Sequence, residues 1–281
     1  MLSARDPSLA PLVADGEEPA VATILGERAS KGWFGFAMRH VWARELLMLA
    51  ERFFLGGIFT HYLARKRWIE REVKRALTGG ARQVVVLGAG YDTLAWRLHG
   101  RFPGVRFFEI DHPATQASKL EALGEWKNLR FLPGDLSRQA IPEILAAHDD
   151  YDAAKPTVVI AEGLTMYFPR AKVQEILHAS AEIAGEKGRV IFSFMEERED
   201  GSIHFQGASP AVGWWLQSRR EPFRWGCRRE VLPDFLRGLG LSVGPVGDHR
   251  GLPSSVLSVL NVPRLPLARG ESLCICTPAR G

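Results

Sequence analysis

Cysteine is scarce. The 281 residues hold three, Cys227, Cys274 and Cys276, too few and too late in the chain for a disulfide framework or a four-ligand zinc site, so a reducing compartment is the default reading. Long apolar runs are missing too. The longest stretch without Lys, Arg, Asp or Glu, Gly201 to Ser218, contains His204, Gln206, Pro210 and Gln217, a mixture that a membrane span does not tolerate. The first twenty residues carry Arg5, Asp6, Asp15, Glu17 and Glu18 without an apolar core, so no secretory signal is expected. Neither sign of charge dominates: 36 Lys+Arg face 32 Asp+Glu for a net charge of +4. The signs alternate along most of the chain, where a polyanion binder concentrates its cations. What is present, 46% hydrophobic, 10% aromatic and 24% charged residues, describes a globular cytoplasmic protein with one large core or two smaller ones. Membrane and nucleic acid are not expected partners, and nothing here sets an oligomeric state.

No repeat or low-complexity segment divides the chain, but a helical first quarter gives way to alternating strands and helices. Residues 1 to about 30 read as a weakly structured arm. From Val41 to Phe54, Trp42, Leu46, Leu49, Ala50 and Phe53 recur at helical spacing, as expected of a helix lying on a surface. A second amphipathic helix is expected from Arg67 to Leu77, stopped by Gly79-Gly80. Strands are expected at Gln83 to Leu87, Arg106 to Ile110, Leu129 to Leu132, Thr157 to Ala161 and Arg189 to Phe194, and two more at Leu241 to Val246 and Ser272 to Ile275. Between them fall helix candidates at Thr93 to Leu98, Ala114 to Leu123, Pro142 to His148, Arg170 to Ala184 and Arg228 to Leu239. This alternation predicts an α/β fold, a doubly wound and mostly parallel sheet whose near-continuous apolar strands, such as Val84-Val85-Val86-Leu87, are covered on both faces. Residues 1–80 would form a helical cover and 81–281 the catalytic domain. The stretch Glu196 to Gly226, with Trp214, Trp215, Phe223 and Trp225, fits a lid over the carboxyl edge of the sheet or an exposed connection anchored by aromatics; the lid is the preferred reading.

The sharpest local signal is Val84-Val85-Val86-Leu87-Gly88-Ala89-Gly90-Tyr91-Asp92-Thr93, a strand that runs into a glycine turn and a helix. Glycines there allow positive φ and let backbone amides approach a ligand. A dinucleotide fingerprint would place Gly or Ala at position 93, where Thr93 stands, which speaks against NAD. Asp111, at the end of the second strand and twenty-one residues past Gly90, is placed to accept from both hydroxyls of a ribose, or else to cap the helix that His112-Pro113 opens. The third strand delivers Pro133-Gly134-Asp135-Leu136, suited to an amino group and a flat ring. The fourth delivers Ala161-Glu162-Gly163-Leu164-Thr165-Met166-Tyr167-Phe168. Carboxylates thus follow three consecutive strands with no base placed for a diphosphate. A ligand with an adenosine part and a positive centre, S-adenosylmethionine, explains this better than NAD.

In their order and separations, Leu87-Gly88-Ala89-Gly90-Tyr91-Asp92-Thr93, Phe108-Glu109-Ile110-Asp111-His112-Pro113, Gly134-Asp135-Leu136 and Glu162-Gly163-Leu164-Thr165-Met166-Tyr167-Phe168 resemble the leucine carboxyl methyltransferase family, which includes bacterial carboxyl O-methyltransferases of the tetracenomycin type. The similarity runs from about residue 20 to 200. It implies a class I S-adenosylmethionine-dependent methyltransferase fold, Rossmann-like, with a seven-stranded sheet and a helical N-terminal cover. Carried over by position, Gly88, Ala89 and Gly90 pass the methionine part, Asp111 with His112 holds the ribose, Asp135 and Leu136 bind adenine, and Glu162 and Gly163 lie near the methionine end. Arg65 matches the family arginine that grips a carboxylate near the reacting centre. This chain has Arg65-Lys66 where the family has Arg-Thr, so Arg67 stays an alternative. Lys31 corresponds loosely to a family lysine, and a solvated helix face is the competing reading for it. Tyr167 matches a tyrosine near the substrate, against a half-buried aromatic at a strand exit. A carboxylate acceptor, with a pKa near about 4, is ionised at neutral pH and needs no general base; a phenol would bring in His204 or His249. The expected substrate is a small acid, walled by Trp214, Trp215 and Trp225 with His204. A protein C-terminal carboxylate, or a non-catalytic role, are the competing expectations.

Overall fold

Residues 9–26, 57–206, 222–262 and 265–279 are described in the computed structural model. Their order is α1 (Glu17–Leu25), α2 (Ile58–Thr78), β1 (Gln83–Leu87), α3 (Leu94–His99), β2 (Arg106–Asp111), α4 (Pro113–Leu123), β3 (Leu129–Pro133), α5 (Ile141–Ala146), β4 (Thr157–Ala161), α6 (Arg170–Ala184), β5 (Arg189–Met195), α7 (Leu232–Arg237), β6 (Leu241–Gly247) and β7 (Glu271–Pro278). The strands form one seven-stranded sheet in the order β3-β2-β1-β4-β5-β7-β6. β1 to β5 pair in parallel, and β7 runs antiparallel to both β5 and β6. The α/β architecture and the strand count are those the sequence implies.

Every residue of β1 and of β4 is buried, because helices cover both faces. Val85, Leu87, Phe108 and Ile110 join the core beneath α5, α6 and α7. Val84, Val86 and Phe107 join the opposite core beneath α2, α3 and the segment Val256-Leu257. The side chains still alternate at period two, but both sides are apolar, which erases the alternation from the sequence. Each buried Val, Leu or Ile contributes about 1.5–3 kcal/mol.

Three expectations need correcting. The N-terminal arm contains α1, whose first turn holds Glu17 and Glu18, where acids favour a helix start; Glu17 also accepts from the Ala14 amide at 2.9 Å. α2 begins at Ile58, not Arg67. Its first turns bury Thr60, His61 and Lys66, so the apolar periodicity on which the expectation rested is weak there. α7 is shorter than the expected helix, Leu232–Arg237. The helix expected at Val41 to Phe54 lies outside the described residues. Among those described, no helix is long and apolar enough to cross a membrane.

A charged pair sits inside this packing. Glu109 in β2 and Lys119 in α4 form an ion pair with both side chains fully buried. Lys119 also donates to the Asp92 carbonyl at 2.7 Å, tying β2 and α4 to the turn after β1. Burial pushes Glu109 up, to about 7, against the pull of Lys119. Removing one partner of a buried pair costs about 3–5 kcal/mol, whereas replacing both with apolar residues is close to neutral. Lys119→Met should therefore lower the unfolding free energy in urea by about 3 kcal/mol, and adding Glu109→Leu should recover most of it. A single variant within about 1 kcal/mol of wild type would show that the pair does not hold these elements together.

Candidate active site

Because β1 to β4 are parallel, their carboxyl ends share one edge of the sheet, where loops of such folds collect ligands. Gly88 and Gly90 turn the chain there with φ of 61° and 48°. A Cβ on Gly88 would lie 2.6 Å from Leu164 Cδ1, while one on Gly90 would meet nothing within 4 Å. Both glycines are favoured by their left-handed φ; at Gly88 a Cβ would also displace the Leu164 side chain, and Gly90 leaves open backbone toward which a ligand can approach. Asp111 accepts from the Gly90 amide through Oδ2 at 2.7 Å and from the His112 amide through Oδ1 at 2.6 Å. The helix cap is His112, whose Nδ1 accepts from the Ala114 amide. Asp111 is therefore not the cap: it clamps the glycine turn to the end of β2. Each of its oxygens has a further lone pair.

Asp135 follows β3 and is partly exposed. Its Oδ1 accepts from the amide and hydroxyl of Ser137 at 2.9 and 2.6 Å, bonds that hold its carboxyl below the ordinary carboxylate range. Leu136 is buried in the core cluster with Ile110 and Ile144. Gly163 follows β4 with φ of 60° and donates to Ser193 Oγ at 2.8 Å.

Glu162 begins a buried charge network. Arg65 donates from Nε to Glu162 at 2.8 Å and from Nη1 to both oxygens of Glu271, at 2.6 and 2.5 Å. Lys66 reaches Asp92 Oδ2 at 2.6 Å and Glu162 Oε2 at 3.0 Å. His61 Nε2 stands 3.3 Å from Glu271. Against burial, which alone would raise them, Lys66 holds Asp92 at about 2 and Arg65 holds Glu271 at about 2. Both cations, burial notwithstanding, are pushed up by these carboxylates. Lys66, Asp92, His61 and Glu271 are absent from the sequence-derived site. Asp92 stood within the glycine motif and Lys66 beside Arg65, signals enough to include them; Glu271 had none. Arg67 stands elsewhere: it lines a cavity of about 390 Å³ with Arg71 and Lys74.

The remaining candidates are scattered. Tyr167 is half-buried, packs against Phe223 at 5.8 Å, and lines a cavity of about 460 Å³ with Ser137, Phe168, Lys172 and Arg224. Trp225 is no pocket wall: it is 4% exposed and lies in the core against Phe194 and Phe235. The flanking Arg224 and Trp225 amides bond to the Met166 carbonyl at 2.7 and 3.3 Å, so this end of the expected lid is fixed to the sheet edge. His204 is exposed. His249 neighbours Asp248, and burial lowers its pKa. Lys31, Trp214 and Trp215 lie outside the described residues.

Residues 5–181 match the family model for leucine carboxyl methyltransferase. A Frankia alni protein named for S-adenosyl-L-methionine-dependent methyl transfer is 32% identical over 185 residues, which cover 58% of this chain and 63% of that one. A similarly named protein of Mycolicibacterium smegmatis is 32% identical over 193 residues, covering 64% and 61%. The chain thus matches less than two thirds of the length of these relatives. Among solved structures, that of TnmH aligns over 90% of this chain and 64% of its own, with 19% identity and a TM-score of 0.48. With its model spanning well over half of the sequence, the leucine carboxyl methyltransferase family is the one to which this chain belongs.

Proposed function

We propose that the protein is an S-adenosylmethionine-dependent O-methyltransferase that esterifies a carboxylate of a small aromatic or polyketide-like acid. The observation that carries this reading is the edge itself: Asp111, Asp135 and Glu162 follow three parallel strands around an open glycine turn. The residues fit the cofactor. Asp111 keeps a lone pair on each oxygen for the two ribose hydroxyls, and a backbone without a Cβ faces open space at Gly90. Glu162 is buried at the same edge, with Arg65 on Oε1 and Lys66 3.0 Å from Oε2, a carboxylate placed for the positive methionine end.

S-adenosylmethionine, when bound, supplies a methyl group activated on a sulfonium. The chain's part is to hold the acceptor oxygen in line with that methyl, since positioning supplies much of the acceleration of a displacement. An ionised carboxylate needs no base to attack, in keeping with a site where Asp92, Glu162 and Glu271 are all committed to cations. Arg65 spends Nε and Nη1 on Glu162 and Glu271. Its Nη2 lies beside Gly163, 3.8 Å from where a Cβ there would stand, and makes no hydrogen bond among the described residues, which leaves it to grip the acid. The expected small-molecule partner and a cytoplasmic location belong to this proposal.

Two measurements test it. Asp111→Ala should weaken S-adenosylmethionine binding by about tenfold or more, the scale of a lost charged hydrogen bond; unchanged calorimetric affinity in a folded variant would remove Asp111 from the site. Arg65→Lys keeps the charge but loses the fork that reaches several oxygens at once. It should raise the KM of the acid acceptor by about tenfold while changing cofactor affinity by less than about threefold. Equal losses in both would deny Arg65 the acceptor.

A further inference from the structure

Glu271 belongs to none of the strand-end motifs, yet it reaches the same edge. β7 runs antiparallel to β5, so its first residue stands at the carboxyl end of the parallel strands, opposite Met195, the last residue of β5. Glu162 follows β4, on the other side of β5 in the sheet. Arg65 spans the gap between them. Its Nε donates to Glu162 at 2.8 Å, and its Nη1 donates to both Glu271 oxygens at 2.6 and 2.5 Å. The Glu271 side chain is 1% exposed, and His61, one turn before Arg65 on α2, lies 3.3 Å from its Oε2. Little water reaches this grip to loosen it.

A guanidinium is planar, and its nitrogens form a rigid fork. Holding one nitrogen leaves the plane free to swing about that contact, whereas holding two fixes where the third points. Glu162 alone supplies one contact; Glu271 supplies the second. We propose that Glu271 is a positioning residue: by holding Nη1 it fixes the guanidinium plane, so that Nη2 stays beside Gly163, directed at the acceptor carboxylate. The inference rests on the acceptor role given to Arg65 above. An unheld arginine loses its rotamer freedom when it grips a ligand, and this one has lost it beforehand, which lowers the ordering cost of binding. Glu271 acts through Arg65 alone, since both its oxygens are spent on Nη1.

Heteronuclear NMR of the arginine side chains reads this on the intact protein without an acceptor. Held on two sides, Arg65 should give separate Nη1 and Nη2 signals, identified by their loss in Arg65→Lys. In Glu271→Met, which offers no oxygen, rotation about the Nε–Cζ bond should merge them, and Glu271→Asp, which keeps both acceptor oxygens, should hold them apart. Circular dichroism establishes which variants fold; Glu271→Gln, with one acceptor oxygen in place of two, replaces Glu271→Met if that variant does not, and should quicken the same rotation. Turnover is followed with benzoate, salicylate and naphthoate as probe acids. Glu271→Met should raise their KM by about tenfold, the scale of a lost charged hydrogen bond, while S-adenosylmethionine affinity changes by less than about threefold. A merely structural role would weaken both. Added to Arg65→Lys, which has no Nη2 to aim, Glu271→Met should raise KM no further, because residues that act through one another are not additive. Merged signals in the wild-type chain, separate signals in Glu271→Met, or KM effects that add in the double variant overturn the proposal. A wild-type chain that methylates none of the probe acids overturns the carboxylate reading instead, and the proposal with it.

Discussion

Arg65 held between Glu162 and Glu271 is the interaction on which the functional edge depends. It joins α2, which precedes the sheet in sequence, to the end of β4 and to β7, residues 97 and 206 positions away. Lys66, one residue on, carries the connection to Asp92 in the turn after β1. Exposed pairs of this kind contribute little, about 0–1 kcal/mol. These are buried, and breaking one side of a buried pair leaves the other charge stranded at a cost of about 3–5 kcal/mol. The network therefore fixes where α2 lies along the sheet edge, and with it the position of every donor that α2 presents there.

The same economy governs the glycine turn. Asp111 bonds two backbone amides, one on the turn after β1 and one at the start of α4, and so stands where two loops meet. Lys119 pins the turn from beneath through the Asp92 carbonyl, while Leu164 from the β4 loop closes over Gly88. The turn is preorganised by contacts from three elements. A ligand that bonds Asp111 adds to a carboxylate already oriented, which lowers the ordering cost of binding.

Legibility in the sequence followed the physics of burial. The five parallel strands are apolar runs bounded by turns, and they form within one residue of their expected limits at nearly every end. Gly88, Gly90, Asp111, Asp135 and Glu162 could be placed because strand ends in such a sheet converge on one edge wherever the helices lie. The pairing of the buried charges was hidden for the opposite reason. A helix with Arg65, Lys66 and Arg67 in succession and Glu70 a turn on reads as solvated, since neither propensity nor periodicity reveals which charges meet partners 26 to 206 residues away. Glu271, at the start of an apolar strand, carried no signal at all. Trp225 misled in the other direction: among glycines and arginines it looked like a loop aromatic, yet its neighbours Met166 and Met195 fasten that short segment across the sheet edge, which carries the ring into the core.

On the proposed reading an acidic edge admits an acid, an electrostatic problem that the order of binding resolves. Asp111 and Asp135 repel an anionic acceptor when the site is empty. Where water is excluded, like charges cost several times what they cost in bulk water. A sulfonium held beside these carboxylates would offset them, and Arg65 Nη2 would then face the acceptor with less opposing charge. Transfer then cancels the charge on the acceptor and on the sulfur together. The cation that admitted the acid disappears in the same step, and neither product retains the attraction that brought its precursor in. On the proposed reading, the fixed carboxylates of this edge would distinguish substrates from products without any moving part, because the chemistry itself changes the charges that the protein holds constant.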